Sequence, residues 1–172
     1  MNHILEYLER SAQQFPTKAA LVDESGAITY SQAMVASQRI GSSLALCLTK
    51  GQPVAVFMEK SVKNLCAFWG VLYAGGFYVS FNTQLPASRL TQMQAVLQAP
   101  FVITDEEHRK ALEGIFPPHR ILLYDNLVRS DIHPEQLARI RSQHVDTDPL
   151  YANFTSGSTG VPKAVVVGHR ST

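Results

Sequence analysis

The chain has 172 residues, of which 45% are hydrophobic and 17% charged, enough to bury the core of one domain. Its formal net charge of +1 produces no strong field, so neither nucleic acid nor an anionic membrane surface is expected as a partner. Cys47 and Cys66 form no C-x-x-C pair and the histidines form no H-E-x-x-H motif, which argues against a disulfide framework and against a zinc site.

The start of the chain has no feature of a targeting segment. Met1 leads directly into an amphipathic stretch, with neither the apolar region of a signal peptide nor an apolar run of transmembrane length. The expected location is therefore cytoplasmic.

A short amphipathic helix and a β-hairpin are predicted next. The helix stops before Pro16, and its apolar face consists of Leu5, Leu8, Ala12 and Phe15. Two β-prone runs, 19–22 and 27–30, lie on either side of a polar turn that contains Gly26 and predict the hairpin.

Helices and strands then alternate. Ser31 is the expected N-cap of a helix whose apolar stripe extends to Leu48. Ser61 is the expected N-cap of a helix that is apolar nearly all round and carries Leu65 on its main apolar face. Another helix is predicted at Glu135–Arg141, entered through Pro134. Short apolar runs predict strands at 54–58, 77–81, 101–104 and 121–124. This alternation predicts an α/β fold with a mostly parallel sheet, helices on both faces and an early β-hairpin.

A decapeptide near the end of the chain, Phe154-Thr-Ser-Gly-Ser-Thr-Gly-Val-Pro-Lys163, carries the strongest chemical signal. The apolar runs on either side of it predict strands, so the decapeptide is expected to be the loop that joins them. Its glycines permit positive φ, and successive backbone N–H groups then form an anion-binding nest to which hydroxyls and a lysine add donors. The candidate polyphosphate-binding residues are Thr155, Ser156, Gly157, Ser158, Thr159, Gly160 and Lys163.

This loop is not a Walker A motif. Gly157, Gly160 and Lys163 are spaced by threes and Pro162 precedes the lysine, whereas the Walker pattern is G-x-x-x-x-G-K-[ST] at the start of a helix. The alternative interpretation of its composition is a surface turn without a ligand.

The nine residues Thr155 to Lys163 resemble the phosphate-binding signature of the adenylate-forming superfamily, which includes the adenylation domains of non-ribosomal peptide synthetases, acyl-CoA synthetases and luciferases. The segments 28–31 and 72–79 resemble two further segments of that family. Ala164, where glycine usually follows the lysine, and Ser80-Phe81-Asn82, where a proline and acidic pattern is usual, depart from it.

The resemblance implies an enzyme that uses ATP and Mg²⁺ to convert a carboxylic acid into an acyl-adenylate, then passes the acyl group to the thiol of a carrier protein or of CoA. Segment 72–79 and Pro86-x-x-Arg89-Leu90 favour amino-acid adenylation for non-ribosomal peptide synthesis. An acyl-CoA synthetase-type ligase is the alternative, and a non-catalytic binding module remains open.

The resemblance also implies that residues 1–172 form a single N-terminal subdomain of an AMP-binding domain. The family's catalytic lysine, acyl pocket and acidic magnesium-binding residues would follow later, so no catalytic or metal-binding residue is expected in this chain. The chain alone is expected to be inactive, and an unpaired sheet edge is expected to favour self-association. His169 is expected to begin a further helix, with a hydrogen bond to substrate or phosphate as its alternative role.

Overall fold

The computed structural model describes residues 3–155 and 162–171, which form a two-stranded hairpin and a six-stranded sheet with helices. The helices are α1 Leu5–Gln14, α2 Tyr30–Leu44, α3 Val62–Tyr73, α4 Ala87–Leu97, α5 Tyr124–Leu127 and α6 Pro134–Arg141. The strands are β1 Ala19–Asp23, β2 Gly26–Thr29, β3 Pro53–Phe57, β4 Phe77–Ser80, β5 Phe101–Thr104, β6 Ile121–Leu123, β7 Pro149–Thr155 and β8 Lys163–Gly168. Short 3-10 helices cover Arg109–Leu112, Pro118–Arg120 and His169–Ser171. Within the described ranges, no helix is both long enough and apolar enough to span a bilayer.

The six-stranded sheet has the order β6-β5-β3-β4-β7-β8. The β3–β4, β3–β5, β4–β7 and β5–β6 pairs are parallel, and only the β7–β8 pair in this sheet is antiparallel. The separate β1–β2 hairpin is antiparallel. The prediction of a mostly parallel sheet with an early hairpin is therefore confirmed.

Strand β3 shows why helices are needed on both faces of the sheet. Its four residues from Val54 to Phe57 are fully buried, although successive side chains point to opposite faces. Val54 and Val56 pack into a core with residues of α2 and α3, whereas Ala55 and Phe57 pack into a second core with residues of α4. Helices on both faces of the sheet are thus confirmed.

Helices α2 and α3 approach each other closely because glycines lie at their contact. A Cβ atom built on Gly70 would lie 2.4 Å from Ile40 Cγ2, and one built on Gly41 would lie 2.5 Å from Tyr73 Cβ. Real Cβ contacts are longer than this, so glycine is required for this helix spacing.

The N-cap of α2 differs from the prediction. Thr29, not Ser31, is the cap: its Oγ1 accepts from the Gln32 N–H at 3.2 Å, and the Gln32 side chain accepts from the Thr29 N–H at 2.8 Å. This reciprocal capping box starts the helix two residues earlier than predicted. The helix also ends at Leu44, before the predicted limit of its apolar stripe at Leu48, which is nevertheless buried.

Two side chains assigned to apolar helix faces are exposed. Phe15 lies just beyond the end of α1 and is 54% exposed, because its backbone has left the helical path. Leu65 of α3 is 40% exposed, so this helix does not lie buried on all sides. The predicted helix at Glu135–Arg141 is confirmed, with Pro134 in its first turn.

Candidate phosphate-binding site

The candidate loop lies between two paired strands. Thr155 ends β7 and Lys163 begins β8, and these two residues are Cα partners in the antiparallel ladder. The Thr155 hydroxyl donates to the Lys163 carbonyl oxygen at 3.4 Å. The other five candidate residues, Ser156, Gly157, Ser158, Thr159 and Gly160, lie outside the described residues.

The sheet topology puts this loop at the edge where α/β proteins bind ligands. Because β7 is parallel to β4, its last residue lies at the same edge as the carboxyl ends of β3, β4 and β5. The strand order reverses between β3 and β5, so the loop after β7 shares this edge but lies beyond the reversal, with β4 between β7 and β3. Ligands of open α/β sheets bind outside the carboxyl ends of the strands at such a reversal.

Apolar packing holds the base of the loop in place. The ring of Phe154, next to Thr155, packs edge-on against the buried Phe81, with 6.1 Å between the ring centroids. Pro162 is buried at the other end of the loop, whereas Lys163 is exposed. The backbone is therefore anchored on both sides while the lysine ammonium stays available to a ligand in solvent.

A second polar group occupies the same edge of the sheet and was not predicted. The carboxylate of Glu59, just after β3, accepts from the Thr83 hydroxyl and from Gln84 Nε2, and these bonds hold the pKa of Glu59 below its ordinary value. After β5, His108 Nδ1 lies 2.7 Å from Asp105 Oδ1. The available signal was a polar residue within three positions of the end of each strand: Glu59, Thr83 and Asp105. The Glu59 bonds tie the loops after β3 and β4 together, and His108 Nε2 brings the loop after β5 to 4.0 Å from Glu59 Oε1.

The described part of the loop offers a hydroxyl group, from Thr155, and an ammonium group, from Lys163. The Lys163 ammonium suits a polyphosphate anion, whereas the Thr155 hydroxyl would donate to one only after giving up its bond to the Lys163 carbonyl oxygen. Among residues 3–155 and 162–171, no group of three or more His, Cys, Asp or Glu side chains is arranged to hold a metal ion, and we assign none of them to Mg²⁺.

His169 begins a 3-10 helix, which confirms the favoured prediction for this residue. Its side chain is buried and lies in a stack of three imidazoles, in which His3 is 3.7 Å from His169 and 4.3 Å from His144 between ring centroids. His169 Nδ1 also accepts from the Ile4 N–H at 3.2 Å. The imidazole therefore joins the two ends of the described chain.

The stack is built from uncharged rings. Burial, together with the neighbouring histidines and the cations Arg141 and Lys50, lowers the pKa of His3 to about 2. Burial and Arg141 lower the pKa of His144 to about 4, and burial lowers the pKa of His169. Neutral imidazoles can stack face to face at neutral pH without charge repulsion.

Comparison with known proteins places these features in a family. The chain is 32% identical over 170 residues to the nonribosomal peptide synthetase vlms of Lecanicillium sp, covering 94% of this chain and 2% of that protein. It is 28% identical over 169 residues to the D-alanine--D-alanyl carrier protein ligase of Lacticaseibacillus rhamnosus, covering 98% of this chain and 33% of that protein. The chain thus spans a third or less of the length of these relatives.

The fold matches solved structures of the nonribosomal peptide synthetase FmoA3. With its AMPPNP-bound form the TM-score is 0.83 at 27% identity, over 98% of this chain and 17% of that one. With its alpha-methyl-L-serine-AMP-bound form the TM-score is 0.82 at 26% identity, over 98% of this chain and 18% of that one. The family model described as AMP-binding enzyme matches residues 8–172, nearly the whole sequence. The chain belongs to the AMP-binding enzyme family.

Proposed function

We propose that this chain supplies the β- and γ-phosphate-binding part of a longer ATP-dependent ligase, which activates an amino acid as its acyl-adenylate and transfers it to the thiol of a carrier protein. The observation that carries the proposal is the position of the loop. Thr155 and Lys163 face each other at the carboxyl edge of the sheet, in a chain that belongs to the AMP-binding enzyme family.

The proposed chemistry needs positioning and charge neutralisation more than covalent catalysis. A carboxylate oxygen of the amino acid forms a bond to the α-phosphorus of ATP, and the bond from that phosphorus to the bridging oxygen breaks. Pyrophosphate leaves with the negative charge that develops on the broken bond. When bound, Mg²⁺ neutralises part of the phosphate charge.

The chain's own residues act on the leaving group. The exposed ammonium of Lys163 offsets the charge of the β- and γ-phosphates, which grows as pyrophosphate departs. The Thr155 hydroxyl marks the base of the loop, where strand pairing fixes the backbone before any ligand binds. Because strand pairing already holds Thr155 and Lys163 together, the two ends of the loop need little rearrangement when a ligand binds.

An amino acid is the favoured substrate because of the names of the relatives. Vlms is a nonribosomal peptide synthetase, and the ligase from Lacticaseibacillus rhamnosus is named for D-alanine and a carrier protein. One solved form of FmoA3 is bound to alpha-methyl-L-serine-AMP. These names support an amino acid as the acid and a carrier protein as the thiol donor. An acyl-CoA synthetase-type ligase differs in both substrates, so the two functions can be separated by experiment.

The test is acid-dependent ATP–pyrophosphate exchange by the polypeptide of the native gene that contains this chain. Panels of amino acids and of fatty acids would be compared, followed by acyl transfer to a carrier protein or to CoA. We expect exchange to depend on an amino acid and transfer to favour the carrier protein. Exchange that depends on fatty acids, with transfer to CoA, would establish the alternative, and no exchange with either panel would contradict the proposal.

A further inference from the structure

The turn after β4 lies beside the base of the candidate phosphate-binding loop. Tyr78 of β4 is the Cα partner of Tyr151 of β7 in this parallel pair. Three residues further along both strands, Phe81 and Phe154 meet edge-on, with 6.1 Å between the ring centroids. The same register places the residue after Phe81 beside Thr155, the first of the candidate phosphate-binding residues. The turn that begins there therefore borders the loop.

This turn is closed by its own polar groups. The Asn82 side chain accepts from the Gln84 N–H at 2.9 Å, and the Asn82 carbonyl oxygen accepts from the Leu85 N–H at 3.1 Å. The start of the turn is attached to β3, because the Phe81 N–H donates to the Val56 carbonyl oxygen at 2.9 Å. These bonds set the shape of the turn and fix its first residue to the sheet.

Glu59 attaches the middle of the turn to the end of β3. Its Oε1 atom accepts from the Thr83 hydroxyl and also from Gln84 Nε2, the second bond at 3.3 Å. From the loop after β5, His108 Nε2 lies 4.0 Å from the same oxygen atom, and the His108 ring packs edge-on against Phe57 with 5.8 Å between centroids. One carboxylate oxygen is thus where the loops after β3, β4 and β5 meet.

The charge of Glu59 argues against a direct contact with phosphate. The bonds from Thr83 and Gln84 hold the pKa of Glu59 below its ordinary value, so the side chain is ionised at neutral pH and only accepts hydrogen bonds. Phosphate oxygens also carry negative charge and only accept, so a carboxylate at this edge repels them. What the side chain provides is its two bonds to the turn beside the loop.

We propose that Glu59 is a positioning residue for the phosphate-binding loop, an inference that rests on the function proposed above for that loop. By holding the turn after β4, Glu59 maintains the contact between Phe81 and Phe154. That contact fixes the backbone at Thr155, where the loop begins. The support matters because the β4–β7 ladder has a single Cα pair, so side-chain packing sets much of the position of the loop relative to β4.

The first experiment compares Glu59→Ala, Glu59→Gln and a control, Glu135→Ala, in the proposed ligase that contains this chain. Glutamine keeps an oxygen atom that can accept both bonds from the turn, whereas alanine keeps none. We expect Glu59→Ala to raise the KM for ATP about three- to tenfold, with the KM for the amino acid unchanged. Glu59→Gln should stay within about twofold of the unsubstituted ligase.

The control makes the same change at the opposite end of the sheet. Glu135 is exposed on α6, and Ile140 of that helix lies against Gly75, just before β4. It should leave both KM values unchanged. If Glu59 had only a structural role, Glu59→Ala would lower the folded fraction and therefore kcat, with the KM for ATP unchanged. That result, or a Glu59→Gln variant as impaired as Glu59→Ala, would overturn the proposal.

Lys163→Ala in the same assay separates this proposal from the one on which it rests. If Lys163→Ala leaves the KM for ATP unchanged, the phosphate role of the loop is wrong and the positioning role fails with it. If Lys163→Ala raises that KM but Glu59→Ala does not, the loop binds phosphate and only the positioning role is wrong.

The second experiment needs no enzymatic activity. Amide hydrogen exchange of the 172-residue chain is compared for the same Glu59 and Glu135 variants, at the turn after β4 and at the end of β7. We expect Glu59→Ala to speed exchange at both places, at Leu85 and at Phe154, at least about threefold, and the other two variants to leave it unchanged. Faster exchange at Leu85 alone would show that the turn does not support the loop, and would contradict the proposal.

Discussion

Thr155 and Lys163 lie opposite each other across the β7–β8 ladder, and the hydroxyl of the first donates to the carbonyl oxygen of the second. The two ends of the candidate loop are thus held together by the protein's own strand pairing. The Lys163 side chain is exposed and is not part of either apolar core. Its contribution should therefore appear in nucleotide use and not in folding.

Replacing Lys163 with alanine in the proposed full-length ligase should raise the KM for ATP by about one to two decades. One charge-assisted contact to phosphate contributes roughly 1.5–3 kcal/mol, and it is lost with the ammonium. The free energy of unfolding should change by no more than about 0.5 kcal/mol, as for most exposed positions. Exchange kinetics at varied ATP, with thermal melts alongside, measure both quantities.

Lys18→Ala is the matched control, because Lys18 is also exposed and precedes the β1–β2 hairpin. It should leave the KM for ATP unchanged. If Lys163→Ala and Lys18→Ala behave alike, the loop is a surface turn and the phosphate role is wrong.

The 172-residue chain by itself should show no acid-dependent ATP–pyrophosphate exchange. The proposed reaction needs an acyl pocket and a catalytic residue in addition to a phosphate loop, and we assign neither to the described residues. The measurement is exchange by the purified chain over a panel of amino acids and fatty acids, with the full-length ligase as positive control. Exchange by the chain alone would show that these residues contain a complete catalytic site.

Gly70→Ala should destabilise the fold by about 1–3 kcal/mol, because the added methyl group overlaps Ile40 in the α2–α3 contact. Helix propensity alone predicts the opposite sign, a gain of about 1 kcal/mol for alanine over glycine. Urea denaturation of the unsubstituted chain and of the Gly70→Ala variant gives the free energy of unfolding of each. The sign of the difference shows whether packing or helix propensity dominates. A variant more stable than the unsubstituted chain would mean that α2 and α3 move apart without a cost in free energy.

Stability should fall as the pH is lowered from the ordinary histidine pKa of 6.5 toward about 4, the pKa of His144 in the fold. Over that range the unfolded chain binds protons that the folded stack excludes, so acid favours unfolding. Each histidine that stays neutral contributes up to about 1.4 kcal/mol per pH unit to the slope. Below about 4 the contribution of His144 is constant, while that of His3 continues toward its pKa of about 2.

Denaturation midpoints between pH 7 and the acid range, measured for His144→Gln and for His119→Gln, provide the check. His119 is exposed and serves as the control. The His144 variant should show a shallower dependence on pH than the unsubstituted chain, whereas the control should follow it. Parallel curves for all three proteins would mean that the buried ring does not exclude protons.

The sequence predicted those parts of the fold that depend on local pattern. Short apolar runs located the strands of the sheet, and Pro134 located the start of α6. The N-cap of α2 was misplaced because Thr29 and Ser31 are both good caps, and only the reciprocal bond from Gln32 decides between them. Leu65 was wrongly assigned to a buried helix face, because the spacing of apolar residues does not show how much of a helix its neighbours cover.

Local sequence patterns could not predict contacts between distant parts of the chain. His3 and His169 are separated by 166 residues in numbering, and no motif links either of them to His144. The hydrogen bond between Thr83 and Glu59 likewise depends on β3 and β4 being neighbours in the sheet. Of the candidate site, the sequence supplied the loop and its residue types, while its place beside β4 follows from the strand order.

The way β7 joins the sheet has a consequence for motion. The ladder between β4 and β7 rests on the single pair Tyr78 and Tyr151, whereas six pairs join β7 to β8, with one irregularity between Pro149 and Tyr151. The β7–β8 hairpin is therefore a unit that can open from β4 while its own pairing stays intact. Amide hydrogens of β7 and β8 should then exchange with solvent as one group, and sooner than those of β3, which is paired on both sides by longer ladders. Such an opening would let Thr155 and Lys163, the two ends of the candidate phosphate-binding loop, move together.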